Sequence, residues 1–471
     1  MQNAKVIPNE KYDAKQVWEW DRAHWIHPWT DFAAFKEKGS TVICEGEGPY
    51  IYDGDGKRHI DGIGGLWCVN IGYGREEMAQ AIAEQCRRLC YYSTFVDTTT
   101  PPAAELAHKL ATISPGTLNH VFYSTGGSEA NDQAVRIVHF YFNRLGKKNK
   151  KKIIARMDGY HGSTLLTATI TGVMFDRIGF DVIDELVHHI SNPNPYRRPA
   201  GMTEAEFLEF LVKELEDKIL ELGPDNVAMF FAEPIMGAGG VIVPPQGYHK
   251  RMKAICDAYD IFYISDEVVT GFGRLGHFFA SEDVFGIQPD IITGAKGITS
   301  GYQPLGITML SDKIYEVISV PQEPGAMFTT GFTYSGHPVA CAAGLKNIEI
   351  MEREDICGHV REVGPYFEER LKTLYELPIV GDVRGKCFMN CVEYVGNRET
   401  KALLPEEANI GARIARLAQE RGALVRPIGH MNVLSPPLIL SKSQIDDLVE
   451  ILRASAIEAM NELKREGIWN G

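Results

Sequence analysis

The chain has 471 residues, 44% of them hydrophobic, which is roughly three domains' worth of length and ample apolar material for large packed cores. Lysine and arginine total 48 against 62 aspartate and glutamate, and the net charge of -14 argues against nucleic acid or anionic membrane as partners. No apolar run approaches the span of a bilayer and the start Met1-Gln2-Asn3-Ala4-Lys5 is polar, so neither a membrane helix nor a signal peptide is expected, and a cytoplasmic location is. Nine cysteines without a Cys-x-x-Cys pair speak against a disulfide framework or a zinc ribbon, and most are expected to be buried. The 14 histidines form no His-Glu-x-x-His pattern, and His188-His189 reads as a helix end.

In chain order, residues 1–75 open with an irregular aromatic stretch from Trp18 to Trp29. A small hairpin follows, with Val42-Ile43-Cys44, Tyr50-Ile51-Tyr52 and the turn residues Asp53-Gly54-Asp55-Gly56. From 76 to 338 short apolar runs alternate with amphipathic stretches. The runs are at Val121-Phe122-Tyr123, Ile153-Ile154-Ala155, Val227 to Phe231, Phe262-Tyr263-Ile264 and Ile291-Ile292. The predicted helices cover Glu76 to Leu89, Glu129 to Leu145 and Thr203 to Leu222, the last opened by the capping-box spacing of Thr203 and Glu206. Such alternation predicts an α/β unit with a largely parallel sheet covered on both faces. The lysine-rich run from Lys147 to Lys152 lies between a helical pattern and a strand and is expected to be a solvated loop. After Pro338, long helices at 339–352, 359–375, 406–421 and 441–463 surround short strands at 388–394 and 424–426. This predicts an α+β unit over 339–471, joined by the N-terminal segment.

The residues with chemistry sit where the apolar runs end. Ile291-Ile292 leads through Thr293-Gly294-Ala295 to Lys296, and Phe262-Tyr263-Ile264-Ser265 ends in Asp266, so an amine and a carboxylate can emerge from one sheet edge. Pyridoxal phosphate needs that pair: an amine to hold its aldehyde as a Schiff base, and an aspartate to keep its ring nitrogen protonated. Either residue alone can end a strand in any α/β protein. After Val121-Phe122-Tyr123, Ser124-Thr125-Gly126-Gly127-Ser128 opens into a helix, whose free N–H groups suit a phosphate and equally describe an ordinary N-cap. No Gly-x-x-x-x-Gly-Lys follows, which speaks against a nucleoside-triphosphate loop. Tyr160, between Gly159 and the pair His161-Gly162, could stack on a flat heterocycle. His161 reads as a pocket wall or, preferably, a satisfied core histidine. Glu233-Pro234 ends a further strand, so four strand ends deliver polar groups to the side where open α/β sheets bind ligands.

Several short motifs now stand in order. They are Gly127-Ser128-Glu129-Ala130-Asn131, Tyr160-His161-Gly162, Glu233-Pro234, Asp266-Glu267-Val268, Gly271-Phe272-Gly273-Arg274, Lys296-Gly297 and Thr333-Tyr334-Ser335-Gly336-His337-Pro338. Together they resemble the class III aminotransferases of PLP fold type I over nearly the whole chain. Gly65-Leu66-Trp67-Cys68-Val69-Asn70 and Pro244-Pro245 are similar to the amine and ω-amino-acid:pyruvate branch more than to the ornithine or 4-aminobutyrate enzymes.

The resemblance implies a large domain with a mostly parallel seven-stranded sheet, and a smaller α+β domain. By it, Lys296 forms the Schiff base and moves a proton, and Asp266 pairs with the pyridine nitrogen. Tyr160 and Val268 would sandwich the ring, Gly127 and Ser128 would hold the phosphate, and Thr333 would reach the phosphate of the other subunit. Glu233 would stand near the cofactor face. Arg426 would bind a substrate carboxylate, with Trp29, Trp67 and Phe95 as aromatic walls. It implies a small-molecule amine donor, a keto-acid acceptor giving alanine from pyruvate in a ping-pong reaction, and a homodimer with shared active sites, or a tetramer. Gly126 stands where many relatives have Ser, Val269 where other branches have Gln, Thr330 where close relatives often have His, and Pro427 follows Arg426. An aminomutase or racemase using the same site, and a catalytically silent binding protein of this fold, are the competing readings.

Overall fold

The computed structural model describes residues 12–470. The polar start expected to carry no targeting signal lies outside the described residues. At the centre is a seven-stranded sheet of β4 (Leu118–Ser124), β5 (Lys152–Arg156), β6 (Val187–Ile190), β7 (Val227–Ala232), β8 (Phe262–Asp266), β9 (Ile291–Gly294) and β10 (Gly306–Ser311), in the order β4-β10-β9-β8-β7-β5-β6. β5 to β9 pair in parallel, while β10 runs antiparallel between β9 and β4. The mostly parallel sheet is therefore as expected, with two corrections. His188-His189 lie inside β6 rather than at a helix end, and β10, absent from the predicted runs, closes the gap to β4.

Alternating residues of each strand enter opposite cores. Ile153, Ala155, Met229, Phe231 and Ile264 pack with the helix Gly127–Arg144, and Ile154, Phe230, Ala232 and Tyr263 with the helices Glu204–Leu222 and Tyr248–Ala258. With both faces covered, every residue of β7 is buried, which is why that strand reads as one unbroken apolar run. Thr203 and Glu206 close the expected capping box.

The N-terminal strands β1 (Ile43–Glu47), β2 (Tyr50–Asp53) and β3 (Arg58–Asp61) form an antiparallel meander, and β3 then pairs in parallel with β13 (Ala423–Leu424). A third sheet, β11-β12-β15-β14, consists of β11 (Val380–Lys386), β12 (Met389–Tyr394), β14 (Arg426–Ile428) and β15 (Met431–Leu434), and the helices Ile356–Lys372, Ile410–Glu420 and Lys442–Arg465 accompany these strands. We propose the division at 75 and 338 on this pattern, and the β3–β13 pairing supports joining the N-terminal segment to the C-terminal part.

Other local expectations are corrected. Much of the aromatic stretch is the helix Ala14–His24, with Asp13 accepting from the N–H groups of Lys15 and Gln16 at its start. The lysine run is a loop up to β5, yet Lys150 is buried with its ammonium on the carbonyls of Pro224 and Tyr259. Four of the nine cysteines are buried, fewer than expected, and all are free. Among the described residues no helix is long and apolar enough to cross a membrane.

Candidate active site

The carboxyl ends of β4, β5, β7, β8 and β9 open onto one cavity of about 650 Å3, within the range of small-molecule sites. Among its walls are Trp29, Trp67, Gly127, Ser128, Tyr160, Glu233, Asp266, Val268, Lys296 and Arg426.

Asp266 ends β8 and is only 4% exposed. Its Oδ2 accepts from Asn131 Nδ2 at 2.8 Å and lies 2.8 Å from His161 Nδ1, while its Oδ1 accepts from the Val268 N–H at 3.1 Å. Asn131 is fixed in turn, since its Oδ1 accepts from Thr293 Oγ1 at 2.7 Å and its amide also donates to the His161 carbonyl at 2.7 Å. His161 is thus buried, as preferred, but its ring is set against Asp266 and its Nε2 has no hydrogen-bond partner among the described residues, so it belongs to the site rather than to an inert core. Asn131 was overlooked in the sequence. The available signal was its place four residues after Gly127, on the same face of the helix Gly127–Arg144.

Lys296 follows β9 in a 3-10 turn at φ +51°, a left-handed conformation uncommon for lysine and concentrated at functional sites. Desolvation pulls its pKa below that of a free lysine, against the opposing pull of Cys68, Asp266 and Glu233. Burial raises the Glu233 carboxyl, and the nearby His161 opposes that shift. Its oxygens accept from the N–H groups of Tyr160 at 3.0 Å and Gly237 at 2.8 Å. Tyr160 places its ring edge-on to Trp29, centroids 5.7 Å apart, and its hydroxyl 2.9 Å from Ser163 Oγ.

The helix Gly127–Arg144 begins at the cavity with Gly126 as its N-cap and no side chain capping it. A Cβ on Gly127 would come within 2.9 Å of Val268, whereas one on Gly126 would meet nothing within 4 Å. Trp67 is carried by a loop that Asp61 organises, accepting from the N–H groups of Ile63, Gly64 and Gly65 and from the Tyr73 hydroxyl. Arg426 starts β14, an edge strand where Pro427 costs no ladder bond, and its guanidinium has no hydrogen-bond or ion-pair partner among the described residues. Burial lowers its pKa.

Two expected site residues lie elsewhere in the chain. Phe95, 53% exposed, lines a separate cleft of about 930 Å3 with Phe328 and Thr330. Thr333 is exposed, its carbonyl accepting from the Tyr91 hydroxyl. Thr330 accepts from Arg136 and donates to Gln133, so it is held within its own chain.

A helix N-terminus with open space at its cap, a half-buried amine and a fixed carboxylate, all on one cavity, fit the phosphate, aldehyde and ring nitrogen of pyridoxal phosphate. The fold is that of the PLP-dependent enzymes of fold type I. More particularly, the chain belongs to the class-III aminotransferase family, whose sequence pattern matches residues 33–456. Putrescine–pyruvate aminotransferase of Pseudomonas aeruginosa is 42% identical over 439 residues, 92% of this chain and 95% of that protein. Diaminobutyrate–2-oxoglutarate transaminase of Halomonas elongata is 39% identical over 443 residues, 93% and 94% of the two chains. A solved omega transaminase from Pseudomonas jessenii in complex with PMP has a TM-score of 0.93 at 37% identity, covering 95% of this chain and 99% of that one.

Proposed function

We propose that this transaminase moves the amino group of an amine or ω-amino acid to pyruvate, giving alanine. The observation that carries the acceptor is Arg426: a guanidinium without a hydrogen-bond or ion-pair partner among the described residues, on the wall of the cavity that holds Lys296 and Asp266. Its planar fork suits a carboxylate, and its long side chain can turn away when the substrate has none.

When bound, pyridoxal phosphate supplies the electron sink for charge at the substrate carbon. Lys296 would hold its aldehyde and move the proton at the substrate carbon, and burial lowers the pKa of its amine. Asp266 would keep the ring nitrogen protonated, with Asn131 and His161 fixing the carboxylate. Gly127 and Ser128 would bind the phosphate and Tyr160 and Val268 would flank the ring, while Glu233 accepts from the Tyr160 N–H and positions its backbone. Trp29 and Trp67 narrow the donor side.

We further propose a homodimer in which Phe95 and Thr333 serve the partner's site. The exposure of Phe95, Val96, Phe175, Phe180, Met327 and Tyr334 supports this, since so much exposed apolar surface commonly marks an interface. Sedimentation of the holoenzyme tests it, a monomer being the contrary result. The acceptor is tested with Arg426→Ala. Pyruvate and alanine half-reactions should lose about 1.5–3 kcal/mol, the worth of a charged hydrogen bond, while a benzylic amine changes little. Equal losses for both would assign Arg426 to the fold or cofactor instead.

A further inference from the structure

The turn that carries Lys296 is held more by its neighbours than by its own backbone. Lys296 and Ser300 both lie in the left-handed region, at φ +51° and +50°, where residues other than glycine persist only when their surroundings enforce it. Inside the turn the N–H groups of Ile298, Thr299 and Ser300 reach the carbonyls of Ala295, Lys296 and Gly297 at 3.2, 3.3 and 3.2 Å, at or beyond the long end of the usual range. On one side Asn70 stands against Gly297, where a Cβ would come within 2.3 Å of its amide nitrogen. That amide donates to the Phe272 carbonyl at 2.6 Å and accepts from Arg274 Nη2 at 2.7 Å, which makes it a fixed wall. On the other side is Asn347, fully buried in the helix Pro338–Arg353. Its Nδ2 donates to the Gly297 carbonyl at 2.9 Å, and its Oδ1 accepts from Ser300 Oγ at 2.6 Å. Ser300 Oγ accepts in turn from the Ile71 N–H at 3.2 Å, four residues beyond Trp67. An amide suits this place because it offers a donor to the carbonyl and an acceptor to the hydroxyl without burying a charge.

We infer that Asn347 is a positioning residue for Lys296: by bridging Gly297 and Ser300 it keeps the turn in the conformation that brings the amine to the cavity wall. This rests on Lys296 being the residue that holds the cofactor aldehyde. The phosphate and ring are bound by other elements, so a fixed turn raises the effective concentration of the amine at the aldehyde. A loosened turn spreads the amine over conformations that miss it, and only the share of cofactor affinity that comes from the bond to Lys296 is lost.

That consequence separates positioning from general support of the fold. Pyridoxamine phosphate has the same phosphate and ring but an amine in place of the aldehyde, so it cannot bond to Lys296. The full-length chain, freed of cofactor, is titrated with pyridoxal phosphate and with pyridoxamine phosphate, following tryptophan fluorescence. Asn347→Ala should bind pyridoxal phosphate about five- to tenfold more weakly, the scale of one neutral hydrogen bond, with its pyridoxamine phosphate affinity unchanged. Ser300→Ala, which removes only the hydroxyl, should shift the ratio of the two affinities about two- to fivefold in the same direction, and it decides alone if Asn347→Ala does not fold. Ser455→Ala, whose buried hydroxyl donates to the Ile451 carbonyl of its own helix, should keep both parent affinities. Equal losses for the two cofactors, or no loss for either, in Asn347→Ala and Ser300→Ala overturn the inference. Lys296→Ala separates the layers: if it keeps the parent's preference for pyridoxal phosphate, the Lys296 reading itself fails. If it erases that preference while the Asn347 and Ser300 variants retain it, only the inference about Asn347 fails.

Discussion

Removing Asn131 is the sharpest probe of how the site is held. Its amide donates to Asp266 Oδ2 and to the His161 carbonyl and accepts from Thr293 Oγ1, all within 2.8 Å and all buried. Asn131→Ala deletes these three bonds and leaves a hydroxyl and a carbonyl in the interior without that partner. A bond to a charged acceptor contributes about 1.5–3 kcal/mol and each of the two neutral ones about 1, so a loss on the order of 4 kcal/mol is expected, divided between folding and the placement of Asp266. Asp266 keeps His161 and the Val268 N–H, so its carboxylate is loosened rather than lost. Cofactor affinity, read by absorbance titration, should fall about tenfold or more, and the single-turnover rate should fall with it, since about 1.4 kcal/mol corresponds to a factor of ten. Thr293→Val, which removes the hydroxyl that holds Asn131 and leaves the β8–β9 backbone pairing in place, should show the same pattern in weaker form. An Asn131→Ala enzyme within twofold of the parent in both affinity and rate would refute the idea that this amide holds the carboxylate.

Borohydride reduction of the holoenzyme followed by peptide mapping should label Lys296, and Lys296→Ala should retain weak cofactor binding without transamination; a label on another lysine contradicts the assignment. Gly126→Ser places its Cβ in open space and adds a hydroxyl at the helix N-cap, so cofactor affinity should rise by about 0.5–1.5 kcal/mol, the net worth of one hydrogen bond. Gly127→Ala, whose Cβ meets Val268 at 2.9 Å, should lower that affinity in the same titration.

What could be read from the chain follows the physics of buried parallel strands. β7, β8 and β9 are buried at every residue, so each is an apolar run whose first charged neighbour marks the sheet edge, and Glu233, Asp266 and Lys296 were visible for that reason. β6 was missed because two histidines interrupt a four-residue edge strand. β10 was missed because Thr308 and Ser311 break its apolar pattern. Asn131 and His161 lie within recognisable motifs, but their grip on Asp266 exists only once β5, β8 and the helix Gly127–Arg144 pack together.

Amino transfer to pyruvate can be followed in two mixing steps. Holoenzyme is first converted with a slight excess of an amine donor, freed of small molecules, and then mixed with pyruvate or with 2-oxoglutarate. Pyruvate should restore the starting absorbance with one alanine formed per active site, while 2-oxoglutarate should react far more slowly. Rapid recovery with 2-oxoglutarate and stoichiometric glutamate, with no alanine from pyruvate, would contradict it.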